Sequence, residues 1–302
     1  MDKPRIGFIG VGMMGHGMAR NIVTKGYSTV VLGHRNRNPV DDLVAAGAQE
    51  GRNPSDIAAR SDIVIICVTG SPQVEQIVYG EDGLLTAARE SHVIVDCSTS
   101  EPDSSMRIHA DFAARGVPFV DAPLARTPKE AEEGRLNVMV GAEPQLFTRI
   151  EPVLRAFAEN IFHVGGPGAG HKTKLVNNFL AMGQAALIAE ALVAAAKAQI
   201  DIEALYKVVS AGGPNSGIFQ MIVPAILSGS YEGLRFGLDL ARKDLRYYTH
   251  MTESLNLPSQ LGEAVHQAFV QASAMGLGGE MVGGLVKAQE QLTGETVARQ
   301  RA

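Results

Sequence analysis

Two polar side chains near the middle of the chain have the types and spacing needed for acid–base chemistry. Lys174 and Asn178 are four residues apart, so a helix would place both on one face. A lysine facing a cleft can donate a proton to a substrate oxygen and accept it in the reverse direction, and an amide beside it can orient the substrate. Another polar group, Ser98, is expected at the end of a strand. These residues together predict proton transfer to or from a small substrate.

A glycine-rich loop near the N-terminus has the spacing of a dinucleotide-binding turn. It follows the apolar run Arg5–Ile9 and precedes a helical pattern, which is the context that gives a GxGxxG its meaning. The first glycine permits a tight turn, the second lets the backbone approach a pyrophosphate, and the third allows the helix to pack on the strand. The helix N-terminus then favours the diphosphate. The residues predicted to contact the cofactor here are Gly10, Gly12, Met13, Met14 and Gly15.

The residues after the second apolar run bear on which nicotinamide cofactor is used. A carboxylate at this point usually hydrogen-bonds the ribose hydroxyls of NAD and repels the 2′-phosphate of NADP. Here the segment has no acidic residue and offers His34, Arg35 and Arg37. Two arginines within reach of a phosphate favour NADP over NAD. The alternative is that they form a solvated basic turn.

Short apolar runs alternate with helical patterns through the first 165 residues, which predicts an α/β Rossmann domain with a doubly wound, mostly parallel sheet. Two runs, Asp62–Val68 and His92–Ser98, are apolar on both faces, as expected of central parallel strands. Their carboxyl ends, Val68–Gly70 and Ser98–Ser100, should border the ligand crevice. The other predicted strands are Arg5–Ile9, Thr29–Leu32, Pro118–Asp121, Asn137–Val140 and Ile161–Val164.

The pattern changes after Gly165–Gly168, because no strand-like run follows and Ala- and Leu-rich helical stretches continue to the C-terminus. We therefore predict a Rossmann domain over residues 1–166 and an all-helical substrate and oligomerisation domain over residues 167–302. The first helix should run from about Lys172 to about Gln199, roughly 40 Å at the standard rise per residue. We expect this helix to connect the domains as a hinge and to contribute to an oligomer interface.

Composition and charge narrow the class of protein. The 302 residues have a formal net charge of -5 and no basic run, so nucleic acid and membrane are not expected as partners. The N-terminus lacks a signal-peptide pattern, which favours the cytoplasm. The Ala-rich stretch Leu180–Lys197 is expected to be a buried soluble helix. Cys67 and Cys97 are expected to be buried thiols, and no metal site is predicted because the histidines and cysteines lack paired spacing.

Five motifs, in order along essentially the whole chain, resemble those of the β-hydroxyacid dehydrogenase family, which includes 3-hydroxyisobutyrate dehydrogenase and tartronate semialdehyde reductase. They are the GxGxxG loop, the DxST strand end at Asp96, the turn Asp121–Pro123, the GxGxxxKxxNN segment Gly168–Asn178 and the segment Asp239–Leu245. The resemblance implies a Rossmann domain and an all-helical domain built on one long helix, assembled as homodimers or homotetramers. It also implies NAD(P)-dependent, reversible reduction of a small semialdehyde to a hydroxyacid.

The resemblance further assigns roles to individual residues. Lys174 matches the catalytic lysine of the family and Asn178 the amide that positions the substrate. Hydride would pass between the nicotinamide and the aldehyde carbon while Lys174 exchanges a proton with the oxygen. The residues expected at the substrate are Ser98, Arg126, Thr127, Asn177 and Asn178. Those expected at the cofactor, beyond the glycine loop, are His34, Arg35, Arg37, Val68, Thr69, Thr99 and Lys243.

One departure from the family pattern bears on the substrate. Relatives usually have Val-Ser-Gly-Gly after the Asp-Ala-Pro turn, whereas this chain has Leu-Ala-Arg-Thr at residues 124–127. Arg126 adds a charged fork suited to an oxyanion, and the sequence around it resembles the sulfolactaldehyde reductase branch. Sulfolactaldehyde and succinic semialdehyde are therefore the favoured substrates, and 3-hydroxyisobutyrate or tartronate semialdehyde is the alternative. The other role open to Arg126 is a structural salt bridge with Glu130.

Three further points are open at the level of sequence. The segment Val68–Gly70 replaces the Leu-Pro-Asn of relatives, so the cofactor contacts predicted there are weaker than the rest. His171 is expected to cap the helix or to face solvent, and a functional role beside Lys174 is the alternative. Two competing classes are an imine reductase, which has a similar architecture, and a non-catalytic cofactor-binding scaffold. The presence of Lys174 argues against both.

Overall fold

A computed structural model describes residues 3–34 and 36–297 of the chain. The chain divides into two compact units, and the division falls between Lys174 and Leu175. The first unit contains strands and helices, and the described part of the second unit is helical. The fold class predicted from the sequence, a Rossmann domain followed by an all-helical domain, is therefore confirmed.

Nine strands form one sheet in the first unit. They are β1 (Ile6–Ile9), β2 (Thr29–Leu32), β3 (Gln49–Gly51), β4 (Ile63–Ile66), β5 (Val93–Asp96), β6 (Phe119–Asp121), β7 (Leu124–Ala125), β8 (Leu136–Gly141) and β9 (Ala158–Gly165). Their order is β3-β2-β1-β4-β5-β6-β8-β7, and β9 also pairs with β8. Strands β1 to β6 are parallel, whereas β8 runs antiparallel to β6 and β7. The strand order reverses at β1, which is where ligands bind in sheets of this kind.

Helices connect the strands of the first unit. They are α1 (Gly15–Thr24), α2 (Asn38–Ala45), α3 (Pro54–Ala59), α4 (Ser71–Tyr79), α5 (Leu84–Ala87), α6 (Pro102–Ala113), α7 (Pro128–Glu132) and α8 (Pro144–Leu154). Four of them begin with a proline, whose missing N–H and fixed φ suit the first position of a helix.

The central strands are buried on both faces, as their unbroken apolar runs predict. In β4, Ile63 and Ile65 pack into one core cluster, and Val64 and Ile66 pack into a second one. All four side chains are at most 3% exposed. Because successive side chains of a strand point to opposite faces, this split places a core on each side of the sheet.

All seven predicted strands are present, but two strands of the sheet were not predicted. Strand β3 is a short segment, Gln-Glu-Gly, with two of its three residues exposed, so it lacks an apolar run. Strand β7 has only two residues. Neither gives a periodic signal long enough to distinguish it from a loop.

The two cysteines are free thiols, as expected. Cys97 is buried and Cys67 is partly buried. Burial raises the pKa of Cys67 to about 12 and that of Cys97 well above its usual value. Both therefore stay protonated near neutral pH and act as small apolar residues.

Helix α9 (Ala169–Lys197) begins in the first unit and continues into the second. It corresponds to the long helix predicted from about Lys172 to about Gln199. The second unit continues with α10 (Ile202–Ser210), α11 (Gly217–Leu227), α12 (Leu238–Ser254), α13 (Gln260–Ala272), a π-helical turn (Ser273–Leu277) and α14 (Gly284–Thr293). Its core joins α9 residues such as Met182 and Ala189 to Leu245 and Phe269.

By length and composition alone, α9 could cross a membrane, since an 18-residue window of it has a mean hydropathy of 1.8. Within the structure, 39% of that window is buried. Core helices of soluble proteins pass the same test, and several α9 residues belong to the core of the second unit. Other apolar side chains of α9 are exposed, among them Leu180 at 59% and Leu187 at 69%. The helix is thus only partly buried within this chain, rather than buried throughout.

Candidate active site

The glycine loop after β1 has the geometry that a dinucleotide requires. Gly10 has a φ of 101°, in the left-handed region, and a Cβ on it would lie 2.2 Å from the Cys67 carbonyl oxygen. A Cβ on Gly15 would lie 1.9 Å from the Gly10 oxygen, so the helix packs directly on the loop. A Cβ on Gly12 would meet nothing within 4 Å. The space over Gly12 is therefore open to a ligand.

The N-terminus of α1 suits an anion. Its N-cap residue, Met14, makes no side-chain cap, and its first turn contains no acidic residue. Its neighbour Met13 is 70% exposed. N–H groups and the helix dipole at such an end favour a bound diphosphate. The loop and helix thus fit the pyrophosphate of a nicotinamide dinucleotide, and the contacts of the individual loop residues stay predictions.

The basic residues after β2 have different environments. His34 is exposed, and Arg35 lies outside the described residues. Arg37 donates from Nη1 and Nη2 to Glu50, at 2.6 and 3.0 Å, and from Nη2 to Asp41 at 2.9 Å. The hydrogen bond from Arg37 lowers the pKa of the Glu50 carboxyl. Arg37 is therefore ion-paired to two carboxylates.

The carboxyl ends of β4 and β5 are tied together by hydrogen bonds. The backbone N–H of Val68 donates to Ser98 Oγ at 3.0 Å, and the Ser98 N–H donates to Asp96 Oδ1 at 2.9 Å. Ser98 and Asp96 are 2% and 1% exposed. Beside them, Thr69 is exposed and Thr99 is partly buried. The ends of β4 and β5 therefore lie next to each other, and their position at a ligand crevice stays a prediction.

Asp121 fixes the start of α9 against the sheet. This residue ends β6 and is 2% exposed. Its Oδ1 accepts from the Gly168 N–H at 2.7 Å and its Oδ2 from the His171 N–H at 2.8 Å. Such N–H groups have no partner within the helix, and negative charge is favourable at this end. A Cβ on Gly170 would lie 2.6 Å from the Asp121 backbone oxygen, so helix and strand are in direct contact.

His171 lies inside the protein, which corrects the expectation that it caps the helix or faces solvent. Its exposure is 0%, and only its backbone N–H takes part in capping. Its Nδ1 lies 2.6 Å from Ser105 Oγ, and its Nε2 lies 3.2 Å from the Ser98 carbonyl oxygen. Its Nε2 is also 3.7 Å from Asp96 Oδ2. Because α6 contributes Ser105, the imidazole joins α6, α9 and the end of β5.

Lys174 follows three residues after His171 in α9 and is partly buried. Residues three apart in a helix lie near one another on its surface. Because Asp121 and His171 anchor this part of α9, buried hydrogen bonds set where Lys174 stands relative to the ends of β5 and β6. Its role in proton transfer stays a prediction.

Asn178 takes part in a hydrogen-bonded group of the second unit. Its Nδ2 donates to Asp244 Oδ2 at 2.6 Å, and its Oδ1 accepts from Asn177 at 3.1 Å. Lys243 Nζ lies 2.9 Å from Asp244 Oδ1. Asn178 and Asp244 are 5% and 3% exposed. Two residues with separate predicted roles, Asn178 and Lys243, therefore share one buried carboxylate.

Arg126 makes a salt bridge, but Glu130 is not its partner. Its Nη1 contacts the Glu159 carboxylate and the carbonyl oxygen of Arg135. The hydrogen bond from Arg126 lowers the pKa of Glu159. Glu130 accepts instead from the Thr127 N–H at 3.0 Å, in a capping box that starts α7. The expected pair with Glu130 is therefore wrong, because that carboxylate is turned back onto its own helix start.

The backbone at Arg126 has a conformation that favours glycine. Its φ is 84°, in the left-handed region that residues with a Cβ rarely adopt. Its side chain is 29% exposed. Contacts of Arg126 and Thr127 with a substrate stay predictions.

Four buried polar residues of these clusters were not predicted as site residues. They are Asp96, Asp121, His171 and Asp244. Asp96 and Asp121 each end an apolar strand, and a carboxylate inside a buried run needs hydrogen-bond donors, so the signal was present in the sequence. Asp244 gave no such signal, since its partner Asn178 is 66 residues away.

Two family models together cover most of the chain. Residues 5–165 match the NAD binding domain of 6-phosphogluconate dehydrogenase. Residues 168–288 match the model described as NAD-binding of NADP-dependent 3-hydroxyisobutyrate dehydrogenase.

Individual relatives agree with these models. The chain is 36% identical over 300 residues to 2-(hydroxymethyl)glutarate dehydrogenase from Eubacterium barkeri, covering 99% of each chain. It is 32% identical to 3-sulfolactaldehyde reductase from Escherichia coli (strain K12), covering 90% of this chain and 91% of that one. Its structure resembles a crystal structure of 3-hydroxyisobutyrate dehydrogenase from Salmonella typhimurium, with a TM-score of 0.82 and 30% identity over 94% of this chain and 99% of that one. The chain therefore belongs to the β-hydroxyacid dehydrogenase family and is an NAD(P)-dependent oxidoreductase acting on CH–OH groups.

Proposed function

We propose that the chain catalyses the reversible reduction of a small anionic semialdehyde to a hydroxyacid, with Lys174 as general acid and base. The observation that carries this proposal is the anchoring of α9 through Asp121 and His171, three residues before the lysine. This anchoring supports the proposal because a general acid must be held within hydrogen-bond reach of the reacting oxygen.

The chain's own groups would divide the work as follows. In reduction, the Lys174 ammonium donates a proton to the aldehyde oxygen as that oxygen gains negative charge, and in oxidation the neutral amine removes the hydroxyl proton. When bound, the nicotinamide supplies or accepts the hydride. Asn178 donates one N–H to Asp244, which fixes its amide plane and leaves a second N–H to orient the substrate.

The substrate class is proposed from Arg126 and from the relatives. A permanently charged guanidinium near the end of β7 is suited to a sulfonate or a carboxylate. We therefore favour sulfolactaldehyde or succinic semialdehyde, with 3-hydroxyisobutyrate or tartronate semialdehyde as alternatives. The 36% identity to 2-(hydroxymethyl)glutarate dehydrogenase adds the aldehyde form of that diacid to the set.

Cofactor choice, assembly and location are also proposed. NADP is favoured over NAD because the segment directly after β2 has no acidic residue and contains two arginines, Arg35 and Arg37. We propose a cytoplasmic homodimer or homotetramer whose functional domains are residues 1–166 and 167–302, without nucleic-acid or membrane partners.

The role of Lys174 is tested by substitution. We expect Lys174→Ala to lower kcat by about a hundredfold or more, because positioned proton transfer contributes rates of that order. The matched control is Lys172→Ala, an exposed lysine two residues earlier in the same helix, which should keep near wild-type activity. The oxidation of NADPH and NADH is followed at 340 nm with each aldehyde. A loss below tenfold in Lys174→Ala would remove the lysine from the mechanism.

The same assay decides the substrate and the class of protein. We expect kcat/KM to differ by more than tenfold among the semialdehydes, because a mismatched anion contact costs kilocalories. The panel contains the aldehydes named above and methylmalonate semialdehyde, the aldehyde of 3-hydroxyisobutyrate. Dinucleotide binding without turnover of any member would favour the non-catalytic scaffold instead.

A further inference from the structure

The guanidinium of Arg37 is enclosed by carboxylates from two elements. Glu50, in β3, accepts from both Nη1 and Nη2, and Asp41, in α2, accepts from Nη2. The side chains of Arg37 and Glu50 are 50% and 37% exposed, so the pair lies at the surface after β2. One guanidinium and two carboxyl side chains form this group, so its acidic side chains outnumber its basic one.

The Glu50 carboxylate occupies the space beside the end of β2. A Cβ on Gly33 would lie 2.5 Å from Glu50 Oε1 and 2.8 Å from Arg37 Nη1. Gly33 directly follows β2, where an acidic side chain in this fold would meet the adenosine ribose. The segment after β2 has no carboxylate of its own, but Glu50 of β3 places one next to the end of β2.

We infer that Glu50 is a specificity-determining residue that disfavours the 2′-phosphate of NADP and opposes the attraction of Arg37 for it. This inference rests on the proposed position of the adenosine ribose at the end of β2. A 2′-phosphate next to Arg37 would stand close to the Glu50 carboxylate, and like charges at such separations repel. A 2′-hydroxyl carries no charge and can donate a hydrogen bond to a carboxylate.

Glu50 therefore limits the preference for NADP that the arginines create. Without the Glu50 charge, the Arg37 guanidinium is available to a phosphate, and the preference for NADP over NAD strengthens. Without Arg37, the two carboxylates remain and the preference for NADP over NAD weakens. Opposite changes in cofactor preference on removing Glu50 and on removing Arg37 would distinguish a role in specificity from a purely structural ion pair.

The test measures binding rather than turnover. Adenosine 2′,5′-bisphosphate and 5′-AMP, the adenosine halves of NADP and NAD, are titrated by calorimetry into the intact protein, followed by NADP⁺ and NAD⁺. In Glu50→Gln, we expect the affinity ratio of bisphosphate to AMP to rise about tenfold, the order expected for removing one close like charge. In Arg37→Gln, the ratio should fall by a similar factor.

A control is available in Glu75 of α4, which is 36% exposed and accepts one hydrogen bond from Arg107. Glu75→Gln should leave the ratio unchanged. Asp41→Asn should raise it by less than Glu50→Gln, because Asp41 accepts one hydrogen bond and Glu50 two, and it replaces that variant if Glu50→Gln does not fold. The inference is overturned if the affinity ratio of bisphosphate to AMP is unchanged in the folded Glu50 or Asp41 variant. An equal change in affinity for both nucleotides leaves that ratio unchanged and has the same meaning. Because no aldehyde is present, failure of the proposed reaction does not affect this result.

Discussion

Two sets of charged residues in the first unit differ in how they are built. The buried hub consists of Asp96, Asp121 and His171, each at most 2% exposed. The exposed pairs are Arg37–Glu50 and Arg126–Glu159, whose side chains are 29% to 50% exposed. In the hub, the carboxylates accept from backbone N–H groups and a serine hydroxyl, whereas each exposed carboxylate is held by an arginine.

The two sets of residues differ in how much the fold depends on them. A buried carboxylate that loses its donors keeps its full desolvation cost, while an exposed ion pair contributes about 0–1 kcal/mol. The hub therefore holds α9, and with it Lys174, in place. The exposed pairs are the ones that we propose to adjust the preference for one anion over another, and their loss should not unfold the domain.

The largest expected effect is the loss of an acceptor in the hub. Asp121→Asn keeps the shape of the side chain but replaces one carboxylate oxygen with an NH2 group. That NH2 group then faces a backbone N–H at the start of α9, and neither can accept a hydrogen bond from the other. We expect the free energy of unfolding in urea to fall by about 2–3 kcal/mol, because charged hydrogen bonds of this kind are worth that much. Activity should fall with it, since the anchored start of α9 precedes Lys174.

The control for this variant is Asp111→Asn, in which the aspartate accepts a single hydrogen bond from the Tyr79 hydroxyl at 2.6 Å. That change should cost less than about 1 kcal/mol. Equal losses in both variants would show that Asp121 has no special role at the start of α9.

The contrast between hub and exposed pairs also separates what the sequence could predict from what it could not. Parallel strands such as β4 were predictable because burial on both faces leaves an unbroken apolar run. The glycine loop was predictable because each glycine has its own steric reason. Lys174 and Asn178 were proposed from helical spacing together with the family resemblance, and their roles stay predictions.

Partners distant in sequence were not predictable. Glu159 lies 33 residues from Arg126, and its pairing depends on how β9 and the turn after β7 come together. The expected partner, Glu130, was chosen by helical spacing, but the capping box of α7 uses that carboxylate. Edge strand β3, which supplies Glu50, is too short and polar to be recognised. Local rules find backbone motifs, whereas side-chain pairing between elements needs the fold.

A smaller effect is expected at Arg126. In Arg126→Gly, the loss of an exposed ion pair is offset by relief of the left-handed backbone, so the free energy of unfolding should stay within about 1 kcal/mol of wild type. Arg126→Ala loses the pair but keeps the strain and should be the less stable of the two.

Activity on different aldehydes sharpens the same comparison. If Arg126 meets the substrate anion, Arg126→Gly lowers kcat/KM for an anionic semialdehyde by at least about tenfold and leaves an uncharged aldehyde of similar size unaffected. A parallel loss on both aldehydes would assign the arginine to structure alone.

The smallest expected effect is the pH dependence that comes from His16, in the first turn of α1. Its Nδ1 lies 2.7 Å from Glu132 and its Nε2 2.9 Å from Asp42, and the side chain is 20% exposed. Burial alone would lower the pKa of His16, but the hydrogen bonds that its ring nitrogens donate to the Glu132 and Asp42 carboxylates outweigh burial and raise the pKa overall. The imidazolium therefore stabilises the fold fully below its unfolded pKa of about 6.5, and this contribution is lost as the pH rises through the higher folded pKa.

We expect the free energy of unfolding of wild type, relative to His16→Gln, to fall by a few tenths of a kcal/mol between about pH 6 and pH 8, since a partly exposed pair is screened by solvent. His92 supplies the opposite sign, because burial lowers its pKa and its contribution is lost as the pH falls. A slope of the same sign for both histidines, measured by urea unfolding across this range, would contradict the assignment. Opposite slopes would show that the two carboxylates outweigh burial at His16, while burial prevails at His92.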